Sequence, residues 1–279
     1  MPAWHPHPDV WLLVAALAGT YVYALRRVGP RHVTLGEPPA TRGGRWAFGL
    51  GVLTILVAAE WPLHDLGERS LFTAHMIQHL LMTLVAPPLL LLGTPGWLLR
   101  WALQPRWLMA VVRRLSRPLV AFVLFNATIA VTHWPAYVDL ILTSQILHFA
   151  THALLFGAAF LMWMPVLSPI AEIPRLSYPL QMLYLFGQSI LPTVPASFLT
   201  FGSTPLYRAY EEFPRLWGIS ALHDMQLAGL SMKLLGGFIL WGVIAVLFFR
   251  WAKQEEDGVD DLAWQEVEQA LNRREVTRP

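Results

Sequence analysis

Seven separate apolar runs divide this sequence, each near the roughly 20 residues that a helix needs to cross the hydrocarbon core of a bilayer. They lie at residues 10–25, 46–63, 71–92, 119–134, 145–167, 179–201 and 222–249. The runs are continuous and lack the apolar/polar alternation of a membrane barrel strand. Lipid offers no partner to an unpaired backbone N–H or C=O, so each run is expected to be a helix. The expected fold class is therefore all-α: a polytopic membrane protein, a seven-transmembrane-helix bundle with the lipid bilayer as its solvent. Composition agrees, since 14% of the residues are charged against about a quarter in soluble domains. Residues 1–9 carry no positively charged segment ahead of the first run, which is expected to stay in the mature protein.

Arginine placement gives the orientation. Arg26, Arg27, Arg31, Arg42 and Arg45 follow the first run, and Arg100, Arg106, Arg113, Arg114 and Arg117 follow the third. Adding Arg175 and the basic residues of the tail, sixteen of the twenty Lys/Arg fall on one side, which the positive-inside rule makes cytoplasmic. Arg69, Arg208 and Arg215 fall on the other side, and Lys233 lies within the seventh run. The N-terminus is then outside and the C-terminus cytoplasmic. Residues 1–254 read as one transmembrane domain. In the tail, 255–279, Leu262, Trp264, Val267, Ala270 and Leu271 fall at helical spacing, which fits an amphipathic surface helix or a frayed polar end. The net charge of +2 and the absence of any Lys/Arg run give nucleic acid nothing to bind.

With this topology, nine of the ten histidines share the outer side, although histidine played no part in assigning it. His5, His7 and His64 lie in outer segments, His75 and His79 open the third run, and His133 closes the fourth. His148 and His152 open the fifth, His223 opens the seventh, and His32 alone is cytoplasmic. The pairs His75/His79 and His148/His152 are each spaced i, i+4, which stacks two imidazoles on one helix face. Burying them in hydrocarbon is costly without partners or a metal. Two such helices at similar depth could present four imidazoles to one site. Asp224 and Met225, on the first turn of the seventh run, could add a carboxylate and a thioether, and Asp224 is the natural anion to balance the charge of a bound ion. His133, beside Trp134-Pro135, suits ligation and turn hydrogen bonding equally. Met76, Met82, Met162 and Met164 read as packing residues.

The chain has no cysteine, so any metal must be held by His, Met or carboxylate. Carboxylates are too sparse for a di-iron site and there is no H-E-x-x-H run, while imidazole with thioether nearby suits copper first and zinc second.

At these residues the sequence resembles the seven-span cytochrome c oxidase assembly factor CtaG family. The resemblance is carried by Phe72-Thr-Ala-His-Met-Ile-Gln-His79, Ala86-Pro-Pro-Leu-Leu-Leu-Leu-Gly93, Leu124-Phe-Asn-Ala127 and His133-Trp-Pro135. It continues with His148 to His152, Trp163-Met-Pro165, Arg175-Leu-Ser-Tyr178, Pro205-Leu-Tyr-Arg-Ala-Tyr210 and Asp224-Met-Gln-Leu-Ala-Gly-Leu230. It implies a bacterial plasma-membrane protein, not an enzyme, that delivers copper to haem–copper cytochrome oxidase or helps assemble it. Its implied partners are oxidase subunits or other copper carriers; a homo-oligomer is compatible with the sequence. It is unlike the single-span, cysteine-bearing chaperone of the same name. Met225 and Lys233 stand where relatives tend to carry Gln and Trp.

Two other classes compete with a copper-binding assembly factor. One is a redox protein with haem b held between His75 or His79 and His148 or His152. The other is a metal-dependent membrane enzyme with Asp224 or Glu60 as base, for which no specific carboxylate motif is present.

Overall fold

The computed structural model describes residues 4–34 and 37–276, with side chains through residue 257. Among them no strand occurs. Helices α1 (Pro8–Tyr23), α2 (Arg42–Ala59) and α3 (Leu63–Arg69) come first. Helix α4 (Phe72–Leu80) passes through one π-helical stretch (Leu81–Val85) into α5 (Ala86–Gly93). The short α6 (Gly96–Ala102) and α7 (Arg106–Leu115) lead to α8 (Pro118–Thr132), α9 (Pro135–Ile141) and α10 (Gln145–Leu167). The chain closes with α11 (Tyr178–Ile190), α12 (Thr193–Phe201), α13 (Ala209–Glu212) and the long α14 (Ala221–Val276).

Six helical segments are long and apolar enough to cross a membrane: Pro8–Arg31, Arg42–Arg69, Phe72–Gly93, Gln145–Leu167, Tyr178–Phe201 and Ala221–Asp257. They coincide with six of the seven expected runs. The remaining run is α8, whose 15 residues span only about 22 Å at 1.5 Å per residue. It becomes a seventh crossing if counted with α7, from which it is bent by 76°. Pro118 at the first turn of α8 accounts for this break, because the residue before a proline is pushed out of the helical region. Helix α14 continues past residue 254 to Val276. The amphipathic face expected over residues 262–271 lies outside the described side chains.

The π-helical stretch after His79 follows from sequence. Pro87 has no N–H, so the carbonyl of Thr83, four residues earlier, loses its helical donor. The buried indole N–H of Trp163 on α10 takes that place, donating to the Thr83 oxygen at 3.0 Å. The Thr83 hydroxyl in turn donates to the His79 carbonyl at 2.7 Å. A proline in one helix thus fixes how α10 sits against α4–α5, the two elements that carry the histidine pairs. On the other side of α5, Gly93 lets α2 approach so closely that a Cβ there would stand 2.4 Å from the Phe48 nitrogen. Lys233, in α14, lies 4.5 Å from the ring centroid of Phe201, a cation–π contact at the exposed surface of the bundle that gives its charge a partner.

Candidate metal centre

Each histidine pair lies at the start of its helix, and tertiary packing turns the two pairs toward each other. His75 and His79 sit on consecutive turns of α4 with ring centroids 4.3 Å apart, and His148 and His152 do the same on α10 at 4.6 Å. Between the helices, His75 stands 5.8 Å from His148 and 5.6 Å from His152, while His79 stands 4.9 Å from His152. His75, His148 and His152 each offer a ring nitrogen, and the three lie within 4.8 Å of one another. Two ligands bonded at about 2.0–2.1 Å to one ion are at most about 4 Å apart, so small side-chain adjustments would let the three close on a single ion.

A carboxylate lies beside this group. Glu68, on α3, places Oε1 3.5 Å from Nδ1 of His148 and 3.3 Å from Nε2 of His64. The Gln78 side-chain amide donates to His64 Nδ1 at 3.1 Å, which leaves the His64 proton on Nε2, facing Glu68. On His148 the same carboxylate favours a proton on Nδ1 and a lone pair on Nε2, the atom that lies 2.7 Å from His152 Nε2. A histidine that gives one N–H to a carboxylate and turns its other nitrogen to an ion is the recurrent arrangement around protein-bound metals. The donor set of three imidazoles, neutral when they ligate, with one carboxylate behind them, fits a first-row transition metal such as copper or zinc.

The chain matches the family of the cytochrome c oxidase caa3 assembly factor over residues 19–254. It belongs to that family. No curated protein and no solved structure matches it. As a member it is a multi-pass membrane protein with a part in cytochrome c oxidase assembly, a non-enzymatic role whose partners are the bilayer and the oxidase.

Asp224, expected as the site's anion, is engaged elsewhere. Its Oδ2 accepts the Phe72 backbone N–H at 2.7 Å. Its Oδ1 accepts the Thr73 backbone N–H at 3.0 Å and the Thr73 hydroxyl at 2.7 Å. The first N–H groups of α4 have no intrahelical acceptor, and Leu71 at the N-cap supplies none. Asp224 fills that need from across the bundle, favoured by the positive end of the α4 dipole. The negative charge beside the histidines is Glu68 instead. Met225 is also not brought to the cluster: its sulfur accepts the Leu206 N–H at 3.1 Å, and its side chain packs with Phe72, Tyr207 and Tyr210.

His133 lies beside the group rather than in it, its ring 6.1 Å from that of His79. The N-terminal His7 is anchored on α3, where its Nε2 lies 3.1 Å from Asp65 Oδ2 and its ring meets that of His64 edge to face at 4.8 Å. Sequence reasoning did not single out Glu68. The signal that could have singled it out is its i, i+4 spacing from His64, which appears once residues 63–69 are recognised as a helix.

Proposed function

We propose that this chain binds copper at His75, His148 and His152 and that this site serves the metallation of haem–copper cytochrome oxidase at the bacterial plasma membrane. The observation that carries the reading is the convergence, within 4.8 Å, of three imidazole nitrogens from two facing helices in a membrane-embedded bundle. Glu68 holds His148 in its ligating tautomer and offsets the positive charge of the ion, which would otherwise be costly in a low-dielectric setting. Family membership in an oxidase assembly group supports a metal that the oxidase itself needs. Mutual ring contact among His75, His79, His148 and His152 favours one small ion over a haem, since a macrocycle would have to part rings whose centroids are 4.3–5.8 Å apart.

The positive-inside distribution supports an orientation with this end of the bundle outside the cytoplasm and the C-terminus inside; a periplasm-dependent reporter fused after Pro279 that proved active would overturn it. Copper carriers on the outer side are the proposed source of the ion.

The deciding measurement is metal content and copper titration of the purified full-length protein, wild type beside His148→Ala and His75→Ala. The reading expects bound copper in the wild type and a loss of affinity of at least about 100-fold in each variant. Unchanged affinity in both variants would reject the site, and a Soret band from copurified haem would favour the redox alternative.

A further inference from the structure

His79 is not part of the converging triad, and both of its ring nitrogens are buried without a hydrogen-bond partner. His133, at the C-terminal end of α8, has one such nitrogen. Its Nδ1 lies 2.8 Å from the Ile129 carbonyl and donates to it, which leaves the Nε2 lone pair free, buried and unpartnered. The two residues are 8% and 6% exposed. Leaving three imidazole nitrogens unsatisfied in a bundle interior is costly and calls for an occupant.

Both residues line one cavity of about 50 Å³, and Met76, Met162 and Met232 contribute to the same wall. No carboxylate does. The two rings stand edge to face with centroids 6.1 Å apart. An ion bonded to a ring nitrogen at about 2.0–2.1 Å lies about 3 Å from the ring centre, so two imidazoles that grip one ion from opposite sides have centroids about 6 Å apart. Neutral imidazole with thioether sulfur, in a site without anionic ligands, is a donor set for soft, singly charged Cu(I) rather than for Zn²⁺ or Cu²⁺.

We propose that His79 and His133, with a thioether from the methionines of this cavity, form a second copper station, selective for Cu(I). It is distinct from the His75/His148/His152 site and adjacent to it. The inference rests on the copper-binding reading above and extends it from one ion to two. His79, whose ring is 4.9 Å from that of His152, is the residue common to the neighbourhood of both stations, so an ion could pass between them by exchange of ligands without entering lipid. Met76 and Met162, which sequence alone assigns to packing, thereby acquire a binding role together with Met232.

The test is anaerobic titration of the full-length protein in detergent with Cu(I) against a chromogenic Cu(I) chelator, with X-ray absorption of the loaded samples. The wild type is expected to bind two equivalents, and His133→Ala one. The His75→Ala/His148→Ala/His152→Ala variant is expected to bind one equivalent, with sulfur in its coordination shell. Adding Met76→Leu, Met162→Leu and Met232→Leu to that variant, changes that nearly conserve volume, should abolish the sulfur signal even if His133→Ala fails to fold. One equivalent in the wild type, unaffected by His133→Ala and lost in the triple histidine variant, would overturn the second station while leaving the proposed function intact. A nitrogen-only shell in the triple histidine variant would overturn the thioether assignment. Absence of copper from every sample would overturn both readings.

Discussion

The carboxylate of Glu68 lies 3.5 Å from Nδ1 of His148, a contact between the two-turn helix α3 and the first turn of α10. Gly67 favours it, having no side chain: a Cβ there would stand 3.0 Å from the backbone of His75, so α3 would have to shift by a few tenths of an ångström from α4. The Tyr210 hydroxyl fastens the same point by donating to the Gly67 carbonyl at 2.9 Å. Glu68, His148 and His75 are therefore held as one unit by three different segments of chain.

If Glu68 orients His148, then Glu68→Gln, which keeps shape and removes charge, should weaken copper binding by about 10–100-fold while leaving the fold intact. The measurement is a competition titration alongside thermal unfolding. Wild-type affinity in the Gln variant would remove Glu68 from the site.

Asp224 should behave as a structural cap. Asp224→Ala leaves the buried Phe72 N–H without its acceptor and is expected to cost about 1–3 kcal/mol of stability, with Asp224→Asn costing less because one side-chain oxygen remains to accept. Copper stoichiometry should be unchanged in the Asn variant. A loss of bound copper in Asp224→Asn at wild-type stability would reverse the assignment.

Tyr207 and Tyr210 give the protein an alkaline limit. Both lie between α12 and α14, outside the spans, and donate to the carbonyls of His133 at 3.0 Å and Gly67 at 2.9 Å. Burial pushes both phenols above their ordinary value near 10. Above about pH 10 the unfolded chain sheds these protons while the folded chain keeps them, so the folded state binds more protons and stability falls as pH rises. The contribution is fully present below the ordinary phenol value and lost as pH climbs toward the raised ones. Melting temperatures measured from about pH 9 to 11 should fall more steeply for the wild type than for Tyr207→Phe; equal slopes would show that Tyr207 does not contribute.

Much of this molecule is legible along the chain. Six of the seven apolar runs become crossing segments because lipid leaves the backbone no alternative to internal hydrogen bonding, and that constraint acts locally. The weakest prediction, the fourth span, falls where Pro118 cuts the helix short and turns it 76° from α7, a local signal that run length alone ignored. The histidine pairs were legible for the same reason, since i, i+4 spacing fixes which face of a helix they share.

One helix can decide which segments cross, which side chains share a face, and that two imidazole pairs open two spans, and these features are readable along the chain. Which groups meet across helices was decided by tertiary structure. Asp224 and Phe72 are 152 positions apart, and the free N–H groups at the start of α4 attract the carboxylate more specifically than its own position could reveal. His79 keeps ring contact with His75 and His152, as spacing predicts, but only the packing of α8 brings His133 and a largely apolar cavity that includes three methionines to its other side. Distances between helices depend on where glycine permits contact and where proline leaves a carbonyl for Trp163. Those are properties of the packed bundle, since each requires a partner that no local stretch of sequence contains.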